Sequence, residues 1–301
     1  MTSTERIATS DPRVRKRSSH PTRTSRSRSP GRLVRTALLG VPLLILVLWT
    51  LIPFLVTISV SLKTRGEVFG SFGLVPDNPT VTAYKEVLRD STFRASFKNS
   101  VIVGVGTSLL TIALAVPAAY AFARMRFRGR HLILLFVLLP RLVPDVGTMV
   151  PLYRMAAAAG MIDNPLSLII AYSGSLLPLA VWLMAGFFQQ VPREIEESAS
   201  VDGANLWQRI RYLVLPLATP AIIAVIVLSF REAWNEFTLV LVLTSSAEGR
   251  TLPYALFLLG HGGISNYPAS AAFALITIIP FILVYTRIER HVMAGISFGS
   301  S

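Results

Sequence analysis

The sequence predicts an all-α membrane protein with six transmembrane helices, and three observations carry that expectation. Hydrophobic residues make up 52% of the 301 and charged residues only 15%, with a mean hydropathy of +0.57, too apolar for an ordinary soluble domain of this length. Six apolar stretches, at about 36–62, 99–123, 132–153, 166–188, 213–243 and 270–285, mostly reach the ~20 residues that a helix needs to cross a bilayer. Basic residues gather in alternate loops. Arg124, Arg126, Arg128 and Arg130 lie between the second and third stretches, and Arg193, Arg209 and Arg211 between the fourth and fifth. The third-to-fourth and fifth-to-sixth loops hold one each, Arg154 and Arg250. The positive-inside bias then puts the Arg-rich loops and both termini in the cytoplasm, and the one basic outer loop, 63–98, is the longest, where the bias is weak.

Ahead of the first stretch, residues 1–35 are rich in Arg, Ser, Thr and Pro and read as a disordered basic tail. The tail concentrates much of the formal charge of +13 beside the first helix, so nucleic acid is not the expected partner. It reads as a contact with anionic headgroups, or as a topological anchor or loosely constrained chain end. No Arg-Arg pair precedes the apolar run, against a twin-arginine signal, and the run is too long for a cleaved signal. In the second stretch, Gly104-Val105-Gly106-Thr107 comes nearest to a phosphate loop, but no Gly-x4-Gly-Lys-Ser/Thr occurs. ATP hydrolysis at a Walker site is therefore not expected of this chain, and these glycines are expected to let helices pack closely.

The third stretch holds Arg141 and Asp145, flanked by Pro140 and Pro144. Counted from Leu132, Arg141 falls ~14 Å deep, close to the midplane. Four residues apart, the two could pair on one helix face if the prolines leave the turn intact. They read either as a pathway-lining pair at a broken helix or as an ion pair facing another helix.

After the fourth stretch comes a polar island, 191–220. Pro192 suits a helix start, and Glu194, Glu196 and Glu197 complement the positive end of its dipole. Asp202-Gly203 marks a turn, because Gly most cheaply adopts the positive φ of a C-cap. A second short helix over 204–212 carries Leu206, Trp207 and Ile210 on one apolar side, and Pro216 and Pro220 lead into the fifth stretch. There Arg231-Glu232-Ala233-Trp234-Asn235-Glu236 begins ~22 Å beyond Pro216, at an interface level that suits Trp234. The chain has no cysteine, and its four histidines, at 20, 131, 261 and 291, show no metal-ligand spacing. Neither a metal nor a cofactor is expected in this chain.

The island carries a family resemblance. Glu197-Ser198-Ala199, three residues, Gly203, nine residues and Leu213-Val214-Leu215-Pro216 resemble the EAA loop of permease subunits of ABC importers, with Ser198 for the usual Ala and Leu213 for the usual Ile. Trp234-Asn235-Glu236-Phe237 followed by Thr251-Leu252-Pro253 resembles the carbohydrate branch of that family, as in the maltose-type second permease, although Leu239-Val240 stands where Pro-Leu is often seen. Ile162-Asp163-Asn164 and the end, Met293 to Ser297, are similar to further family turns. An Arg at the proline-flanked position of Arg141 is similar to some sugar permeases, and Asp145 departs from them.

The resemblance implies a type I permease fold over 36–301, with a core over 97–290 and a cytoplasmic coupling loop over 191–216. It implies a second homologous permease, two ABC ATPase subunits or domains, an extracytoplasmic solute-binding protein and a bacterial cytoplasmic membrane as partners and setting. Glu197 and Asp202 become anchoring acids and Gly203 the bend. Leu206 and Trp207 become groove contacts, and Ser198, Ala199, Leu213 and Pro216 complete the loop. Arg141, Asp145, Asn235 and Glu236 are the candidate pathway residues, with carbohydrate import as the activity. The rival is an ion-coupled secondary transporter using Asp145, Glu232 and Glu236; it lacks the visible internal repeat that many such folds show. A membrane enzyme would need acids converging with His or a metal, a constellation that the sequence does not show.

Overall fold

The computed structural model describes residues 30–70, 73–261 and 266–296, and among them every regular element is helical. Most of the basic tail expected over 1–35 lies outside the described residues, and its last part is already helix, because α1 runs over Pro30–Leu62. Residues up to Ile52 form one compact unit and those from Pro53 another. The second unit opens with the end of α1, where Ser61 Oγ and Tyr84 Oη meet at 2.7 Å and Lys63 Nζ donates to Gly73 O at 2.5 Å.

Two short helices follow, α2 (Arg65–Gly70) and α3 (Thr82–Arg89). The central helix is α4, Ser91–Arg124, capped by the Asp90 carboxylate, which accepts from Thr92 N and Phe93 N. It begins eight residues before the predicted start of the second stretch, because this cap sets its first turn. Beyond it lie α5 (Arg130–Leu138), a 3-10 turn (Leu139–Leu142), α6 (Asp145–Ala158) and α7 (Pro165–Gln190). The polar island forms α8 (Arg193–Val201), α9 (Leu206–Arg209), a π-turn (Ile210–Val214) and α10 (Leu215–Leu217). Four helices complete the chain: α11 (Thr219–Asn235), α12 (Thr238–Leu243), α13 (Leu252–His261) and α14 (Tyr267–Ile296).

Among the described residues, three helices are long and apolar enough to cross a membrane, in α1, α4 and α7, and two bent pairs bring the number to five. The last apolar helix, Tyr267–Leu283, is shorter than that test requires. The third stretch is not one helix. Pro144 disfavours helical backbone at Val143, which sits at φ −80° and ψ 123°, and the chain turns by 95° between Leu132–Leu142 and Val146–Ala158. Arg141 and Asp145 therefore do not share an unbroken helical turn. The fifth stretch bends by 78° between Leu206–Leu217 and Thr219–Asn235 and breaks again at Glu236, ψ 130°. That second break forms with Leu239-Val240, and no proline, just beyond it.

The packing of α4 organises the second unit. Its buried face steps by four through Ser96, Ser100, Gly104 and Ser108, passes Thr111, and resumes at Ala115, Ala119 and Ala123. In lipid, apolar side chains gain little by leaving their surroundings, so helix pairs form where small residues let backbones approach. Along this ladder α7 runs parallel to α4: Ser173 Oγ bonds Thr107 O at 3.3 Å near one end, and Tyr120 meets Phe188 edge-on at 6.5 Å near the other. Helix α11 runs antiparallel, with Ser108 Oγ reaching Ile226 O at 3.3 Å and Phe97 against Trp234 at 6.0 Å.

Trp234 faces the protein interior and not the lipid. It is 3% exposed, stacked on Phe230 at 5.2 Å within a buried cluster that includes Phe93, Leu252 and Phe273. The Thr251-Leu252-Pro253 loop is fastened to the same end of α4, where Asn99 Nδ2 donates to Arg250 O at 3.0 Å and Ser100 Oγ accepts from Leu252 N at 2.9 Å.

A second clasp holds that end. Asp163, at φ +62° between α6 and α7, accepts from Ser245 N at 2.7 Å, Ser245 Oγ at 2.6 Å and Ser246 N at 2.9 Å. Burial alone would raise its carboxyl, but the hydrogen bonds from Ser245 and Ser246 outweigh that and hold it below the usual carboxylate value.

Two predictions test this framework. A Cβ at residue 104 would sit 2.8 Å from the Phe230 ring, which is pinned by Trp234, whereas one at residue 106 would sit 2.5 Å from Cδ1 of Ile169, the far end of a flexible side chain. Gly104→Ala is expected to cost about 1–3 kcal/mol and Gly106→Ala less, read as thermal unfolding in detergent. For Asp163 the depressed folded value means that its stabilisation is complete above the unfolded value, about 3.9, and is lost as pH falls through the folded one. Asp163→Ala is expected to lower stability at neutral pH by about 1–3 kcal/mol, and to flatten the loss of melting temperature seen on acidification below about pH 5.

Candidate functional site

Between α7 and α11 the chain leaves the apolar helices, and its backbone must find partners locally. At the end of α8 it does so by a left-handed C-cap: Gly203 lies at φ +85°, Gly203 N donates to Ser200 O at 3.2 Å, and Ala204 N donates to Ala199 O at 2.9 Å. That six-to-one and five-to-two pair is the Schellman arrangement, which a residue with a Cβ adopts only with strain. Two residues on, Asn205 Oδ1 accepts from Gln208 N at 2.9 Å while Asn205 N donates to Gln208 Oε1 at 2.8 Å. This reciprocal capping box starts α9 and fixes the direction in which it leaves the bend.

The matched loop residues share one exposed patch. Ala199, Asp202, Gly203 and Leu213 border a single hollow of about 450 Å³. Glu197 and Ser198 face outward on α8, and Val201, Leu206 and Trp207 stand 88%, 43% and 69% exposed on the same segment. Pro216 opens the turn that carries the chain into α11. The helix expected over 204–212 is interrupted, because a single turn of α-helix gives way to the π-turn at Ile210.

What holds this patch was not expected from the sequence. Glu196, one residue before the matched Glu197, is buried. Its Oε1 lies 2.7 Å from Arg124 Nε, close but not aligned as a hydrogen bond, and its Oε2 accepts from Tyr120 Oη at 2.7 Å. Arg124 Nη2 also donates to Val191 O at 2.7 Å. Both charged side chains are less than a tenth exposed. The last turn of α4 therefore grips both the end of α7 and the back of α8. Glu194 and Glu197 remain exposed helix-start charges.

At the broken third stretch, Arg141 borders a hollow of about 410 Å³ with Gly147, Thr148, Gly174 and Ser175, between the break, α7 and α12. The side chain of Asp145 lies outside the described residues. The fifth-stretch cluster divides in two. Arg231 Nη1 and Glu232 Oε1 pair at 2.7 Å on the surface, and Asn235 Nδ2 turns back to Arg231 O at 2.8 Å. Glu236 instead points inward and caps α12, its Oε1 accepting from Leu239 N at 2.9 Å. Asn235 and Glu236 thus sit at the second break, and neither is among the residues lining the Arg141 hollow.

Known proteins resemble this chain in sequence and in fold. The family model described as the binding-protein-dependent transport system inner membrane component matches residues 111–297. The trehalose transport system permease protein SugB of Mycobacterium tuberculosis is 32% identical over 254 residues, 84% of this chain and 92% of that protein. The trehalose/maltose transport system permease protein MalG of Thermococcus litoralis is 31% identical over 272 residues, 89% of this chain and 97% of that one. In fold, the chain is similar to one in the crystal structure of a bacterial ABC transporter involved in the import of the acidic polysaccharide alginate, with a TM-score of 0.75 and 24% identity over 87% of this chain and 98% of the other. With a family match over more than half its length and relatives aligned nearly end to end, the chain belongs to the binding-protein-dependent transport system inner membrane components, the permease subunits of ABC transporters.

Proposed function

We propose that this chain is the membrane-spanning permease subunit of an ATP-driven importer for a sugar or oligosaccharide. It crosses the bacterial cytoplasmic membrane six times, with both termini in the cytoplasm. It pairs with a second homologous permease, and two ABC ATPase subunits or domains carry the nucleotide sites. An extracytoplasmic protein delivers the solute. The observation that carries the reading is the exposed 193–209 segment, which presents Val201, Leu206 and Trp207 among charged and polar neighbours and is braced from behind by the buried Arg124–Glu196–Tyr120 contact. A segment so mounted can be pushed without being crushed, which a lever needs. Two ATPases closing on ATP would displace α8 and α9 by a helix-in-groove contact, and the attached helices would rock to change which side the cavity faces.

In this mechanism Glu197 and Asp202 anchor the docked segment by charge, Gly203 makes the bend, and Leu206 and Trp207 fill the partner's groove. Ser198 and Ala199 keep the approach close, and Leu213 and Pro216 fix the exit into α11. Arg141 and Asp145, at the broken third stretch, are proposed to face the pathway, and Asn235 and Glu236 to shape its wall from the second break. The carbohydrate assignment draws on the trehalose and maltose permeases among the relatives. The decisive experiment reconstitutes the complex with its binding protein and screens sugars for stimulated ATP hydrolysis. Stimulation by one sugar class is expected, and uptake that persists without any ATPase but collapses with an ionophore would overturn the reading.

The coupling role generates two further expectations. Gly203→Val strains the left-handed bend and is expected to cut uptake at least about tenfold while membrane levels hold; normal uptake would count against the role of the bend. Glu196→Ala leaves Arg124 buried without its charge partner, a loss of about 3–5 kcal/mol. The double variant Arg124→Met/Glu196→Leu is expected to recover thermal stability but not sugar-stimulated ATP hydrolysis. Full recovery of both would show that the brace serves folding only.

A further inference from the structure

A phenol is out of place in the interior where α7 meets α12. Tyr172, on α7, is 3% exposed, and the side chains buried in its cluster include Val103, Leu168, Leu239 and Leu243. Among such neighbours a phenylalanine would pack as well and bury no polar atom. Tyr172 Oη is cut off from solvent and faces the carboxyl group of Glu236, close enough to interact though not aligned as a hydrogen bond. Glu236 Oε2 is equally enclosed and has no hydrogen-bond partner, while Oε1 accepts from Leu239 N at 2.9 Å. Buried polar groups persist where they have a counterpart, and each of these two is the counterpart at hand for the other.

The contact reaches across a joint. Helix α11 ends at Asn235 and α12 starts at Thr238, so Glu236 and Phe237 belong to neither. Phe237 gives α12 no side-chain cap, and the Glu236 carboxyl supplies one instead. Leu239, held by that cap, lines the Arg141 hollow, and so do Ala171, Gly174 and Ser175, the neighbours of Tyr172 on α7. Tyr172 and Glu236 themselves do not line it. Leu152 of α6 does, and it packs against the cluster that contains Tyr172. The walls of the hollow therefore rest on one cluster, and a single polar contact within it links the α7 wall to the α12 wall.

We infer that Tyr172 is a positioning residue for the Arg141 hollow, tying α7 to the α11–α12 joint through Glu236 so that Leu239 keeps its place in the wall. Tyr172 bears on transport through the proposed pathway role of the hollow, and on the shape of the hollow without it.

The chain has no cysteine, so one introduced thiol reports on one place. Ser175→Cys, half-buried in the lining of the hollow, is labelled with a maleimide in the assembled, detergent-purified transporter, and the mass of this chain is followed in time. Labelling of an enclosed thiol follows how often its surroundings open. Adding Tyr172→Phe, which keeps the ring and removes the hydroxyl, is expected to speed labelling about fivefold, the weight of one buried polar contact. Glu236→Gln still accepts from Leu239 N and turns its amide nitrogen to Tyr172, and is expected to label within about twofold of the parent. Glu236→Ala also removes the cap and is expected to label faster than Tyr172→Phe. The double change Tyr172→Phe/Glu236→Ala is expected to label no faster than Glu236→Ala, because the hydroxyl then has nothing to hold. Asn78→Cys, exposed in the loop between α2 and α3, is expected not to respond to Tyr172→Phe. The inference is overturned if Tyr172→Phe leaves Ser175→Cys labelling unchanged, if Asn78→Cys responds as strongly, or if the effects of Tyr172→Phe and Glu236→Ala add. Should Glu236→Ala not assemble, Tyr172→Phe against Glu236→Gln decides, and equal labelling rates overturn it. The measurement uses neither sugar nor ATP, so a screen in which no sugar stimulates ATP hydrolysis counts against the transport reading and leaves the tie standing.

Discussion

The close approach of α4 to α7 and α11 is the constraint on which the second unit depends. A helix that is apolar all round cannot choose its neighbours by hydrophobicity in a membrane, because lipid offers the same surroundings. The choice falls to size. Ser, Gly and Ala at four-residue steps cut a groove along α4, and the buried faces of α7 and α11 settle into it. One hydroxyl in that groove, Ser108 Oγ, bonds to backbone carbonyls of its own helix and of the facing one, Gly104 O and Ile226 O.

Once α4 is placed, both ends of the unit follow. At one end it holds the 248–252 loop through Asn99 and Ser100, and the aromatic cluster around Trp234 closes over it. At the other it holds the start of α8 through Arg124 and Tyr120. The polar segment beyond can then be largely exposed because the backbone at its bend is already satisfied, by the C-cap at Gly203 and the capping box at Asn205. A segment that needed water or a partner to complete its hydrogen bonds would fray in the absence of the partner. This one keeps its shape.

Much of this was legible in the sequence, and the parts that were not share a cause. The bend at Gly203 could be read because Gly after a short amphipathic run has a local reason to turn. The matched spacing from Glu197 to Pro216 could be read because it is a pattern along one segment. Glu196 and Glu197 could not be told apart, since one residue rotates a helical side chain by about 100° and only the distant position of Arg124 decides which of the two is buried. Depth counting could place Trp234 at a level but not show what encloses it, because the aromatic rings around it come from α4, α11 and α14. Asp163 drew notice only as part of a family turn; its partners, Ser245 and Ser246, lie more than 80 residues away. The break in the third stretch was half legible: Pro140 and Pro144 announced a disturbance, but the size of the turn depends on what packs beside it. The small-residue ladder was on the page throughout, and of it only Gly104 drew notice, together with Gly106 beside it, because serine and alanine carry no special meaning until the helix is known to lie in lipid.

The gripping of both ends of α4 has a mechanical corollary. From Asn99 to Arg124 the helix spans about 38 Å, enough to connect the two faces of a bilayer with one continuous strut. Under the proposed coupling, an axial shift at Arg124 would be carried toward Asn99 by the helix backbone itself. Pro117 interrupts the strut near its Arg124 end, where the missing N–H removes one rung of the backbone ladder. Axial thrust passes through such a joint, while bending collects there. The helix is thus stiff in the direction that carries information and compliant in the direction that lets the two faces tilt.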